Sequence, residues 1–534
     1  MAFGSATAPY NFIPLENKIV PACEDASALY SGVITCSLET VTPLFVGGPS
    51  NRDKNDKSPR EFLRINDKPA IPGTTFKGML RSVVEILSNS SMSKVSDAPI
   101  PFRRVTGANK KTDTKSGIYK QNFPEGVIKG GYLQKVGASY YLTPCKVTPV
   151  SLSETGEDVF VTGDMKNKKH NYRFDPFDPK ASRKEVSDKV MDAFLSQMDN
   201  STYQQELWEK AKQNFKEKKP FKVFYTTIQN SSEINYIGLA RYFRISYKHT
   251  VADLTPSKNN DFAKELFGRI IEGENGSEGY KGKVSCSTAF FDKPKFDSVK
   301  TYVLGEPHAT CLLHYLEQKN AKSEGNEPDT LSDYNEANAK LRGRKYYWHR
   351  DPIDPDTDSD KDNVKTRIIP LSRGNKTTFK VYLDKVNITE LGAVIEALSL
   401  PQDDPKHRHF HKLGGAKSAG LGTVNIRILS CSIDDTSKRY ASLEDRLEGK
   451  NTAALSEDEL KQAKGAFRKY VGDYLGKEYE ALDNVDAFMM MTDYDGRPDS
   501  KATANMGLDK GTPNFSKSKA LLPHAWEVYK DANS

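Results

Sequence analysis

Between Ile71 and Leu87 a chain break runs straight into a helical period, which fixes one element of the fold before any other is considered. Pro72-Gly73 ends the preceding segment, and Thr74 or Thr75 then offers a hydroxyl that can cap the first turn. Met79, Leu80, Val83, Val84 and Leu87 recur at three- and four-residue intervals, so one side of this helix is apolar and is expected to pack on a sheet. Lys77 and Arg81 are four apart on another side, close to a helix start whose free N–H groups attract anions. The pair suits a phosphate backbone, although an ordinary amphipathic helix with two solvated cations has the same pattern.

A second stretch, Lys412 to Gly422, holds four glycines in nine residues (Gly414, Gly415, Gly420 and Gly422) together with Lys417 and Ser418. Such backbone can approach a ligand closely and present its N–H groups. The spacing is neither that of a P-loop nor the dinucleotide fingerprint, and the loop leads into a strand-like segment, Thr423 to Ile428.

Composition narrows the class. With 534 residues the chain exceeds one compact core, and 37% hydrophobic content without an apolar run near the roughly 18 residues of a membrane helix predicts a soluble protein with no membrane partner. No basic-then-apolar leader opens the sequence, which predicts a cytoplasmic setting. Six scattered cysteines include no Cys-x-x-Cys pair. Net charge is only +7, with 78 basic against 71 acidic residues, so the distribution of charge has to identify any polyanion partner.

Taken together the two stretches make the chain resemble the RAMP superfamily of CRISPR-associated proteins. The resemblance extends through Thr42 to Gly48, Gly238 to Ile245, Glu265 to Gly268, Arg342 to Trp348 and Glu390 to Ala393, in that order. It is nearest to the large, insertion-bearing backbone subunits of type III effector complexes, those of type III-D in particular. The resemblance implies an α+β fold with ferredoxin-like cores, expected here as two units: residues 1–163, then a helical insertion at 164–222, a second segment at 223–430 ending in the glycine-rich loop, and a helical C-terminal extension at 431–534. It also implies a CRISPR guide RNA, a target RNA and other effector subunits as partners, in antiviral defence.

In RNA-cleaving members of this family an aspartate in the loop before the helix lies beside the scissile phosphate of the target. Here Lys57 takes that place, so Asp56 and then Asp53 become the catalytic candidates, with Mg2+ as the ion such a carboxylate would hold to polarise a phosphate. Expected RNA-binding residues are Lys77 and Arg81 of the helix, the glycine loop from Gly414 to Gly422 with Lys417 and Ser418, and Arg241 and Arg244 beside Tyr242 and Phe243. Arg342, Arg344, Lys345, Tyr346 and Trp348 form the densest basic-aromatic run, costly to bury and therefore expected at a solvent or RNA face. The competing reading is a stand-alone endoribonuclease that processes the guide precursor, with His411 or His249 as general base. His407, His409 and His411 would share one face of a strand.

Overall fold

Strand β1, Tyr30–Thr40, alternates along its length, with Ile34, Cys36 and Leu38 buried and Val33, Thr35, Ser37 and Glu39 half-exposed. The inward row needs a cover, and two helices supply it. In this computed structural model the described residues are 6–25, 29–49, 58–98, 100–102, 128–161, 169–195, 202–227, 231–240, 245–273, 276–304, 309–322, 331–353, 365–434, 442–444, 452–509, 512 and 520–533.

Helix α1 is Gly73–Leu87, and the residues assigned to its apolar side, Met79, Leu80, Val83, Val84 and Leu87, are all buried. Its start differs from expectation. Pro72 is the N-cap and no side chain caps the turn; the Thr75 N–H donates to the Pro72 carbonyl at 2.9 Å, so neither Thr74 nor Thr75 serves as cap.

The chain returns to the sheet as β2, Val284–Cys286, then β3, Lys376–Val386, helix α2, Ile388–Leu398, and β4, Thr423–Asp434. Asn387 and Glu390 close a capping box at the start of α2. The sheet order is β2-β3-β1-β4 with every pair antiparallel, and the two-residue strand His411–Lys412 extends it beyond β4. Two crossovers, β1-α1-β2 and β3-α2-β4, in that order make a ferredoxin-like unit. Register puts Ile34 opposite Val381 and Cys36 opposite Phe379, so the inward rows of β1 and β3 face the helices together. There Phe76 of α1 stacks on Phe379 at 4.0 Å between ring centroids, 3° from parallel.

Between α1 and β2 the chain builds a second lobe. Its five-stranded sheet runs Lys184–Val186, Ser139–Cys145, Lys129–Val136, Phe221–Thr227, Ile234–Gly238, with helices Asp188–Leu195 and Thr202–Lys216 on the same core. Leu133, Leu142, Phe194, Trp208 and Val223 fill it. The boundaries drawn at 164 and 222 therefore fall inside this lobe. The strands assigned to separate units, Tyr30–Thr40 on one side and Val284 to Asp434 on the other, join in a single ferredoxin-like sheet. Separation along the chain gave no sign that β1 pairs with segments more than 300 residues away.

The C-terminal extension completes the first core. Helix α3, Glu457–Leu475, lies so close on α2 that a Cβ at Gly392 would be 1.9 Å from the Ala463 carbonyl oxygen. Phe467 and Val471 of α3, with Phe488 and Met491 of α4, Asp483–Thr492, belong to the same buried cluster as β1 and α1. Among the described residues no helix is long and apolar enough to cross a membrane.

Phe76→Ala is expected to destabilise the protein by about 3–5 kcal/mol, since it removes a fully buried ring and its stacking partner's contact. Tyr382→Ala, on the outward row of β3, should cost well under that, about 0.5 kcal/mol or less. Urea unfolding of both variants checks the difference.

Candidate nucleic-acid interface

Helix α1 buries one side in the core and turns Thr75, Gly78, Arg81 and Ser82 towards a cleft of about 790 Å³. Gly78 faces open space in this cleft, where a Cβ would meet nothing within 4 Å. The opposite wall is the strand Arg344–Tyr347 with Gly343 before it, and Lys412, Leu413, Gly414 and Lys417 close the end. Phe12, Tyr315, Tyr346 and Tyr347 give the cleft ring surfaces. The helix start and the glycine loop, more than 300 residues apart, thus meet at one site.

Among the described residues six basic side chains line this cleft, Arg81, Lys94, Arg344, Lys345, Lys412 and Lys417, against one carboxylate, Glu85. Glu85 is taken by Arg81 at 3.0 Å. Arg344 gives one nitrogen to the Ser90 carbonyl, while its buried Nε and Nη1 have no hydrogen-bond partner among the described residues, and burial pushes the guanidinium down to about 10. The Lys345 ammonium lies 3.6 Å from the centre of the Tyr10 ring and donates to the Tyr315 hydroxyl at 3.2 Å. Burial lowers it to about 8. Lys417 is also lowered by burial. Among the described residues, none of Arg344, Lys345, Lys412 and Lys417 is within ion-pair distance of an acid.

The basic-aromatic run is not a solvent face. Tyr10–Ile13 pairs with Arg344–Tyr347 and carries the run into the interior, where Trp348 is 1% exposed. Arg342 donates to the carbonyls of Leu522 at 2.6 Å and Pro523 at 3.1 Å, so backbone oxygens from the far C-terminus compensate the guanidinium. Arg342 and Trp348 are structural; Arg344, Lys345 and Tyr346 reach the cleft.

The glycine loop also differs from expectation. Its amides are largely spent inside the protein: Gly415 N–H donates to Phe45 O at 2.7 Å, Gly422 N–H to Pro43 O at 2.8 Å, and Gly420 N–H to Lys417 O at 3.1 Å. Gly422 has φ +83°, and a Cβ there would be 2.0 Å from the Leu413 carbonyl oxygen. The glycines latch the loop onto the Thr42–Phe45 segment, and the Ser418 carbonyl accepts from Arg350 at 3.1 Å. Lys417 and Gly414 line the cleft, whereas Gly415, Ser418, Gly420 and Gly422 do not.

Lys77 is half-buried outside the cleft lining, its ammonium lowered chiefly by burial. Asp53, Asp56, Arg241 and Arg244 lie outside the described residues. Among the described residues no three His, Cys, Asp or Glu side chains stand together to hold a metal ion. Sequence reasoning overlooked Lys412 and Tyr315. Lys412 adjoins the glycines in sequence, but nothing local marks its ammonium as lacking an acid.

The histidines do not share one face. His407 is exposed and held by Asp493 at 2.7 Å, His409 contacts the Thr492 hydroxyl at 3.1 Å, and His411 turns into the core. The His411 Nε2–H donates to the Ala397 carbonyl at 2.7 Å, and burial lowers its pKa to about 4. A side chain so enclosed cannot reach a 2′-hydroxyl. His314 is likewise lowered to about 3 by burial, and His349, between Thr423 and the Phe410 carbonyl, is well below the ordinary value.

These three imidazoles are neutral when folded and protonate near pH 6.5 when unfolded. The unfolded state therefore binds more protons below that pH, and stability should fall as pH drops from about 6.5 towards 4. Urea unfolding at pH 7 and pH 5 measures the loss; His411→Gln, which keeps a donor for Ala397, should reduce it.

No curated protein sequence matches this chain significantly. Among solved structures, Csc2 of Thermofilum pendens is similar at 10% identity and a TM-score of 0.26, covering 86% of this chain and 88% of that one. A chain of the type III-B Cmr-beta complex bound to cognate target RNA is similar at 10% identity and a TM-score of 0.20, covering 74% and 97%. A family model described as the RAMP superfamily matches residues 37–425, well over half of the sequence, and the chain belongs to that superfamily.

Proposed function

We propose that this chain is a CRISPR RNA-binding backbone subunit of a type III effector complex, and that the cleft between α1, the Arg344–Tyr347 strand and the glycine loop grips phosphates of the guide. The observation that carries the reading is the set of four basic side chains, Arg344, Lys345, Lys412 and Lys417, lining one cleft with no acid within ion-pair distance of any of them among the described residues. Cations taken from water without a partner are costly, and a polyanion entering the cleft offsets that cost. The tyrosine rings beside them accept stacked bases, which suits a single strand whose bases remain available for pairing with a target. Specificity then belongs to the guide and grip to the protein.

On this reading the amides of the glycine loop contribute little to the grip, because they are bonded internally, and the side chains carry it. Lys417→Glu and Lys345→Glu should each weaken retention of guide RNA. In the corresponding alanine variants, the slope of log affinity against log salt should become shallower by about 0.7 per cation removed, the value for a single strand. Lys469→Glu, on the exposed side of α3, should leave both unchanged. Filter binding across a salt series reads the effect; unaltered slopes in both cleft variants would remove the cleft from RNA binding.

Cleavage of target RNA within the assembled complex, assisted by Asp56 or Asp53 with Mg2+, is the enzymatic part of the proposal. In a reconstituted complex Asp56→Ala should slow target cutting while guide content stays constant. Cutting at the wild-type rate in both Asp56→Ala and Asp53→Ala complexes would leave the subunit a scaffold.

A further inference from the structure

Lys412 is the lysine in the cleft most deeply removed from water, at 4% exposure. It follows His411 on the short strand paired to Thr423 and Val424, and its ammonium donates to the Leu421 carbonyl at 3.2 Å. The charges around it come from three elements and have one sign: Lys417 from the glycine loop, Arg350 from the segment after the cleft strand, and Arg497 from the C-terminal extension. The nearby acids are engaged elsewhere, Asp509 with Arg350 at 2.9 Å and Asp351 with Arg497 at 2.8 Å. His349 and His411, the titratable side chains beside it, are neutral through burial. Neither Lys412 nor Lys417 has a carboxylate within ion-pair distance among the described residues.

Such a pair of ammonium groups is a seat for an anion with hydrogen-bond acceptors, and a phosphodiester offers two unesterified oxygens. Resting on the reading of the cleft as an RNA interface, we propose that Lys412 and Lys417 form a phosphate seat for one nucleotide of the bound strand, and that filling it draws one proton from solvent onto Lys412. Burial first, and then the three neighbouring cations, lower Lys412 to about 7, so above neutral pH its Nζ holds a lone pair in the unliganded protein. A phosphate brings the negative charge that Lys412 lacks and restores the ammonium. The proton comes from the buffer, and no bond in the RNA breaks.

Calorimetric titration of a single-stranded RNA oligonucleotide into the full chain, in buffers of different ionisation enthalpy, counts the protons. The part of the uptake lost in a Lys412 variant should approach one proton per RNA at pH 8 and fall close to zero at pH 6. Lys412→Arg keeps the charge without titrating in this range, so it should bind RNA within a few-fold of the wild type and lose the share of the uptake that belongs to Lys412, leaving only what Lys345 takes up. Lys412→Met should lose about ten- to a hundredfold in affinity at pH 6, with thermal melting confirming that it folds. RNA bound at pH 8 with no dependence on buffer, or the same uptake in Lys412→Arg, would overturn the seat while leaving the cleft as an RNA interface. A wild-type chain that binds no RNA would overturn both.

Discussion

The inward row of β1 is the constraint on which the rest of the molecule depends. Ile34, Cys36 and Leu38 can leave water only under a helical layer, and α1 and α2 are the segments that the two crossovers bring there. Once Phe76 is stacked on Phe379, the rotation of α1 about its own axis is set. The side that remains, with Thr75, Gly78, Arg81 and Ser82, becomes one wall of the cleft. Core packing therefore decides which cations of α1 are available: Arg81 reaches the cleft and Lys77 does not.

The cleft itself runs against the usual economy of burial. Charged side chains are rarely enclosed unless paired, yet Arg344, Lys345, Lys412 and Lys417 are partly or wholly withdrawn from water with no acid within ion-pair distance among the described residues. Backbone carbonyls and aromatic rings offset part of the cost: the Ser90 oxygen for Arg344, the Tyr10 ring for Lys345, the Leu421 oxygen for Lys412. The remainder is held by a rigid surround. The C-terminal extension packs α3 on α2 and places Phe488 against Tyr346 at 5.6 Å, so the strand bearing Lys345 is supported from behind.

Some of this was legible in the residues. The three- and four-residue period of α1 named the buried side correctly, because that pattern is set by local backbone geometry. The misreadings share one cause. Arg342 and Trp348 were expected outside on the sound ground that cations are costly to bury, but the carbonyls of Leu522 and Pro523 and the strand Tyr10–Ile13 meet that cost from both ends of the chain. The glycines were expected to offer N–H groups to a ligand, whereas Pro43 and Phe45, some 370 residues earlier, accept them. His411 has the side chain of a general base, but it is buried and bonded to the carbonyl of Ala397.

The sequence by itself determined the local elements, the helix that follows Pro72-Gly73 and the membership of a family whose motifs keep their order along the chain. Only the tertiary structure decided that a single ferredoxin-like sheet gathers segments from residue 30 to residue 434, and that Arg81, Lys345, Lys412 and Lys417 share one cleft. The reason is physical. Periodicity is a property of neighbouring residues, but whether a charge is paired, solvated or left unanswered depends on atoms that the chain brings back from hundreds of residues away.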